Sequence, residues 1–259
     1  MKDLILLKIG GSLITDKKNE KATLNRENLQ RIAKEIKEGF NSKLNNLVLI
    51  HGAGSYGHPI VKNTGIDHGI KTKEQVFAFA QTQKLQNELN VQICEELEKN
   101  GLPAIPFQPS ASAIMRNKKL VSLNIDLLRK LLEISLIPVL FGVPAYDEVQ
   151  FCSILSGDQI ITYLATELSP KRVILATDVP GVLDDNGAVI KTIDPKNFET
   201  IHKFIGQSKA HDVTGGMLGK VKELLQIKGL VSEIIGGDPG IIKKSLKGEL
   251  GLGTLIDNR

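Results

Sequence analysis

Four glycine-rich stretches hold most of the side chains in this sequence that are equipped for chemistry: 8-KIGGSLITDKK-18, 51-HGAGSYGH-58, 156-SGDQ-159 and 213-VTGGMLGK-220. Three follow apolar runs that read as strands, and three carry lysine or histidine. Glycines at a strand end let backbone N–H groups approach a bound group closely, and a following helix N-terminus adds positive potential. A single loop of this kind usually just turns the chain. Four in one chain, with cations attached, point to anionic guests, phosphates first.

Two familiar nucleotide motifs fail. Gly52, Gly54 and Gly57 spell G-x-G-x-x-G after 47-LVLI-50. A dinucleotide site also needs an acidic residue ending a second strand about 20 residues later. Glu74 stands at that distance, but 73-KEQVFAFAQ-81 reads as helix. An oxidoreductase would follow only from a genuine motif here. The stretch 215-GGMLGKV-221 is one spacer short of a P-loop and has Val221 where a magnesium-binding hydroxyl belongs.

The bulk properties agree with a small anionic ligand. A chain of 259 residues buries a substantial core without disulfides. The net charge of +4 is spread out, apart from short clusters such as 17-KK-18 and 243-KK-244. A nucleic-acid groove would want a denser basic stripe with aromatics. Cys94 and Cys152 lie in apolar surroundings without C-x-x-C spacing, which reads as buried, reduced thiols. A strand begins almost at once (3-DLILLKI-9), no signal peptide is visible, and no apolar run approaches the ~20 residues of a bilayer span. The expectation is a cytoplasmic protein.

The elements that must position the loops alternate along the chain. Runs 4–9, 47–50, 103–107, 136–142, 172–177 and 231–235 are apolar nearly throughout, as in strands covered on both faces. Helical spacing recurs in Leu29, Ile32, Ala33, Ile36 and Phe40 behind an Asn25 cap, and from Lys73 to Asn100 behind the capping box 72-TKEQ-75. Further helices are predicted over 125–134, 158–168 and 217–229, and 184-DDNGAVI-190 signals a tight hairpin. The pattern predicts an α/β protein with a largely parallel sheet, one compact unit whose lobes meet near residues 155–170 without a flexible linker.

In combination, 8-KIGGS-12, 51-HGAGSYGH-58, 156-SGD-158, 177-TDVPGV-182 and 212-DVTGGM-217 resemble the amino acid kinase superfamily over the whole chain, in that family's order. His58 closing G-S-Y-G-H, with Lys17 after the first loop, is similar to the isopentenyl phosphate kinases within it. The resemblance implies a three-layer αβα sandwich on a mainly parallel sheet of about eight strands, and a homodimer. It implies an acceptor lobe over 1–165 and an ATP lobe over 166–259. The implied reaction converts isopentenyl phosphate and Mg·ATP to isopentenyl diphosphate and ADP, on a variant mevalonate route to isoprenoids.

Transfer between two polyanions asks for positive charge, alignment and dryness more than for a general base. By resemblance, Lys8 holds the ATP phosphates with Gly10, Gly11 and Ser12; the plain alternative, a lysine snorkelling from a strand end, is opposed by the adjacent 10-GGS-12. Lys17 neutralises the transferred phosphoryl group, with Lys18 as the neighbouring candidate. Ala53 and Gly54 offer amides to acceptor and donor, and Ala53, where the family often has glycine, requires a negative φ. His58, beside Pro59 at a plausible first helical position, donates to the acceptor phosphate, whereas His51 reads as structural. Gly157 contacts substrate, and Asp158 organises the lysines or simply caps a helix. Asp178 lies near the ribose or base; Thr214, Gly215, Gly216 and Lys220 address the ATP phosphates at the start of the last long helix. The tail slot is placed on Val76, Phe77, Phe79 and Ala80, which read equally well as core. Alternatives are a fosfomycin or other small phosphate or phosphonate kinase, a carboxylate kinase disfavoured by His58, and a non-catalytic nucleotide-binding module.

Overall fold

Strand β1 (Asp3–Ile9) runs through the middle of the molecule, and its pleat sends side chains to both sides. Ile5, Leu7 and Ile9 enter one buried cluster and Leu6 another, so the strand is covered on both faces. The computed structural model describes residues 2–16, 22–205 and 216–259.

The other strands are β2 (Asn45–His51), β3 (Ala104–Pro106), β4 (Ile114–Arg116), β5 (Lys119–Ser122), β6 (Ile137–Phe141), β7 (Val143–Ala145), β8 (Ser153–Leu155), β9 (Arg172–Thr177), β10 (Thr192–Ile193), β11 (Val231–Gly236) and β12 (Thr254–Asp257). Eight form one sheet in the order β10-β12-β11-β9-β1-β2-β6-β3. From β11 to β3 every neighbouring pair is parallel, while β12 runs antiparallel to β11. Two hairpins, β4–β5 and β7–β8, stand apart from the sheet. All six runs read as strands from the sequence lie in the sheet. The 184–190 turn closes with an isolated bridge between Leu183 and Val189.

The helices are α1 (Gly11–Ile14), α2 (Arg26–Gly39), α3 (His58–Thr64), α4 (Lys73–Lys99), α5 (Ile125–Glu133), α6 (Gly157–Leu168), α7 (Pro195–Ile205), α8 (Gly216–Leu224) and α9 (Ile241–Leu246). Asn25 caps α2 by accepting from Asn28 N, and Thr72 and Gln75 make the reciprocal capping box of α4. The helix expected over 217–229 ends at Leu224, with turns beyond it. Leu29, Ile32, Leu89, Ile93 and Ile242 bring α2, α4 and α9 onto one face of the sheet; Leu128, Ile160, Leu164, Val221 and Leu224 bring α5, α6 and α8 onto the other. The result is the expected three-layer αβα sandwich. A division at 165/166 falls inside α6, and β1 pairs with strands from both sides of it.

Cys94 and Cys152 are buried and unbridged, and burial pushes both thiols up to about 12. No helix among the described residues is long and apolar enough to cross a membrane.

Candidate active site

In a parallel sheet the loops after the strands gather at the carboxyl edge, where ligands of α/β proteins bind. Gly10 N donates to Ala176 O (2.9 Å), Gly52 N to Ile9 O (3.0 Å), Gly142 N to His51 O (3.0 Å) and Gly237 N to Thr177 O (2.7 Å). These bonds carry the ladder one residue past the strands and hold the first glycine loop between its two neighbours.

Lys8 is the penultimate residue of β1. The two-residue period puts it on the Leu6 face, toward α6, where it is 5% exposed. Its ammonium donates to Asp158 Oδ1. Lys220 reaches the other oxygen, Oδ2, from α8 at 3.4 Å. One buried carboxylate therefore gathers two lysines that lie 212 positions apart in the sequence. Burial alone would raise the Asp158 carboxyl; attraction by Lys8 and Lys220 outweighs it and holds the carboxyl below the ordinary range.

Ser156, not Asp158, caps α6, accepting from Gln159 N at 3.1 Å. Asp158 is thereby left for the lysines. Lys220 lies a turn beyond Gly216, where α8 begins among the described residues, and its partner there is Asp158. Glu223, the next residue on that face, has its carboxyl raised by burial and by the nearby Asp158.

The glycine loops touch backbone to backbone. A Cβ on Gly11 would lie 2.8 Å from Gly54 Cα, and one on Gly52 would lie 2.6 Å from Gly11 N. Gly54 has φ +52°, which disfavours a side chain on its own account. Ala53 has φ −69°, so the alanine meets the condition set by the sequence. Thr15 Oγ1 stitches the loops together, accepting from Ser55 N (3.0 Å) and donating to Gly11 O (2.8 Å). A Cβ on Gly157 would sit 3.0 Å from Lys8 Cε, so this glycine clears the path of the lysine. The arrangement can present two ammonium groups and a rim of amides to one polyanion.

His58 opens α3 directly after Gly57, with Pro59 in the first turn, and is half-buried. His51 is fully buried, stacks on Phe141 with centroids 5.3 Å apart, and is pushed down to about 4 by burial. It is structural, as read. Asp178 is exposed just past β9, following Thr177, whose Cα lies 3.8 Å from a Cβ built on Gly10. Glu74 sits in α4, so the dinucleotide fingerprint is absent.

The structure thus brings together Lys8, Gly10, Gly11, Ser12, Ala53, Gly54, Gly157, Asp158 and Lys220. Lys17, Thr214 and Gly215 lie outside the described residues, and Gly216 begins α8. Of the four tail-slot candidates, Val76 and Phe77 are exposed (52% and 66%), as is Ala80, and only Phe79 is half-buried. Phe79 packs with Ile60, Val61, Ile66, Cys152 and Ile154 in a small apolar cluster beneath α3. Ile60, Ile154, Thr15 and Ser55 were missed; the only local signal was Ile154 two residues before the 156-SGD-158 motif.

The sheet, the two lysines gathered on Asp158 and the interlocked glycine loops fit a phosphotransferase, and the chain belongs to the amino acid kinase family, whose sequence pattern matches residues 3–229. It is 38% identical to the isopentenyl phosphate kinase of Methanothermobacter thermautotrophicus, over 99% of this chain and 100% of that one. It is 35% identical to the isopentenyl phosphate kinase of Methanocaldococcus jannaschii, over 98% of each. A crystal structure of an isopentenyl phosphate kinase superposes with a TM-score of 0.84 at 36% identity, covering 98% of this chain and 100% of the other.

Proposed function

We propose that this protein transfers the γ-phosphoryl group of ATP to isopentenyl phosphate, giving isopentenyl diphosphate and ADP. The observation that carries the reading is the Lys8–Asp158–Lys220 arrangement beside two interlocked glycine loops. The acceptor follows from the likeness to isopentenyl phosphate kinases along nearly the whole chain.

In this reading the lobe built on β1, β2, β3 and β6 takes the acceptor, and the lobe built on β9 to β12 takes the nucleotide. Lys8 and Lys220, oriented by Asp158, draw negative charge off the phosphates between them as the transition state spreads it over non-bridging oxygens. Lys17 serves the transferred group. Gly10, Gly11 and Ser12 turn backbone groups toward the donor, a task shared by Thr214, Gly215 and Gly216, and Gly54 offers its amide to donor and acceptor alike. Asp178 stands on the ribose and base side. Ala53, Gly157 and His58 hold the acceptor phosphate, and the cluster of Ile60, Phe79 and Ile154 takes the tail.

Magnesium fits as a passenger on the nucleotide. Among the described residues no group of three His, Cys, Asp or Glu can hold a metal, and both oxygens of Asp158 are engaged by lysines. Mg²⁺ keeps much of its water and is readily held by phosphates, where it supplies charge neutralisation. The reading extends to a cytoplasmic location and to a homodimer, and light scattering on the purified chain checks the dimer.

ADP release with Mg·ATP and a panel of isopentenyl phosphate, dimethylallyl phosphate, fosfomycin, glutamate, N-acetylglutamate, aspartate and UMP tests the function. Isopentenyl phosphate is expected to give the highest kcat/KM. A higher value with fosfomycin or a carboxylate reassigns the acceptor, and no turnover at all leaves a binding module. His58→Ala is expected to raise the KM for isopentenyl phosphate and lower kcat, together about 10²-fold in kcat/KM. Wild-type constants in that variant would remove His58 from the site.

A further inference from the structure

The inner face of α4 carries buried polar residues where a helix against a sheet is usually apolar. Gln86 and Asn90 are both fully buried, one turn apart. Asn90 Nδ2 donates to His51 Nε2 (3.2 Å) and to Val139 O (3.0 Å). Because Nε2 accepts, the ring proton sits on Nδ1, which donates to Gly52 O at 3.0 Å. Gln86 Nε2 reaches Ala53 O at 3.4 Å. Two successive carbonyls of the glycine loop are therefore drawn toward α4.

A trans peptide sends its C=O and N–H in opposite directions. Gly52 O shares its plane with Ala53 N–H, and Ala53 O shares its plane with Gly54 N–H. Holding both oxygens toward α4 turns both N–H groups away from it, toward the side where Gly54 N faces Gly11. Among the described residues neither N–H has an acceptor.

Gln86 itself gains little from its place. Its Oε1 is buried without a partner, and Ala53 O already accepts from Tyr56 N at 3.2 Å. An orphaned buried oxygen is costly, so this amide is poorly explained as a contributor to stability. It also fixes its neighbour. Gly57 has φ −134°, which any residue adopts, yet a Cβ there would lie 2.6 Å from Gln86 Nε2 and 2.9 Å from Ala53 Cβ.

We infer that Gln86, with Asn90 and His51 behind it, is a positioning residue that aims the Ala53 and Gly54 amides at the acceptor phosphate. The inference rests on the kinase reading above and deepens it. It names side chains, remote from the reacting atoms, that set acceptor affinity.

The test uses the full chain and Gln86→Met, which keeps length and removes the amide. The KM for isopentenyl phosphate is expected to rise about tenfold, with the KM for ATP within about twofold of wild type. The melting temperature should stay the same or rise, a combination that a merely structural residue would not give. Gly57→Ala, which pushes on the same amide from the loop, should show the same split. The double variant should be no worse than the poorer single one, because both act through one contact. An unchanged acceptor KM in Gln86→Met, or a double variant whose loss is the product of the single losses, overturns the inference. If Gln86→Met does not fold, Gly57→Ala decides, and a wild-type acceptor KM there counts against it. Should wild type fail to turn over isopentenyl phosphate, the kinase reading fails on its own account. The inference is then read from the calorimetric Kd for inorganic phosphate, expected to weaken about tenfold in Gln86→Met and unchanged if it is wrong.

Discussion

Asp158→Asn is expected to lower kcat by between about a hundred- and a thousandfold, the largest loss of any single polar substitution in the site. The variant keeps the shape of the side chain and removes the charge that Lys8 and Lys220 share. Breaking a buried ion pair costs about 3–5 kcal/mol of stability, and losing one preorganised electrostatic group at a reacting centre typically costs about a hundred- to a thousandfold in kcat. With the carboxylate gone, two ammonium groups repel across a buried space, and each leaves the position from which it is proposed to serve the phosphates. Stability should fall as well, and ATP should restore more of it in the variant than in wild type, because phosphate oxygens take over part of the missing charge. The pH dependence has a definite sign. A carboxyl held below its ordinary value contributes stability that is fully present above about pH 4 and is lost as pH falls through the depressed folded value. The gap in melting temperature between wild type and Asp158→Asn should therefore narrow in acid. A variant with wild-type kcat, or a gap that widens in acid, would mean that the carboxylate does not organise the lysines.

Gly11→Ala is expected to cost about a hundredfold in kcat/KM for both substrates, since a shift of roughly 1 Å in a reacting group is enough for that. The new methyl would meet the backbone of Gly54 and lie 3.1 Å from the carbonyl carbon of Gly52. A flexible side chain could swing aside, but here backbone meets backbone, so the two loops must part. Because one loop is assigned to the donor and the other to the acceptor, both KM values and kcat should change together. The helical start of α1 accommodates alanine, and the melting temperature should change less than the activity. Selective damage to one substrate would show that the loops work independently.

The sequence revealed those parts of the fold whose chemistry is local. Continuous apolar runs marked the six parallel strands because both faces of each are covered, and cap residues placed the starts of α2 and α4. Strand β12 escaped because 254-TLID-257 is short and follows three glycines within 248–253; β10 is two residues long. The hairpins β4–β5 and β7–β8 are built from runs of three or four residues, too short for a period to show. In the site, the glycine loops announced themselves, whereas the link between Lys8, Asp158 and Lys220 spans most of the chain and came only from the family resemblance. Asp158 reads from the sequence as a lysine organiser or a helix cap, and in the structure Ser156 fills the cap position. Gln86 left no trace, because an amide inside a long helix looks the same whether it faces solvent or a loop.

The position of β1 also bears on how the protein acquires its activity. Ile5 is aligned with Leu47 on one side and with Arg172 on the other. The first pairing forms from nearby chain, but the second must wait until the segment that includes Arg172 is available, and closing so long a loop is slow. Lys8 receives Asp158 and Lys220 only after that closure. During synthesis at about 5–20 residues per second, the amino-terminal half is therefore exposed for many seconds with a lysine facing an unfinished layer. Phosphotransfer competence is a late event in the folding of this chain, and a ligand that bridges Lys8 and Lys220 would favour the last step of its assembly.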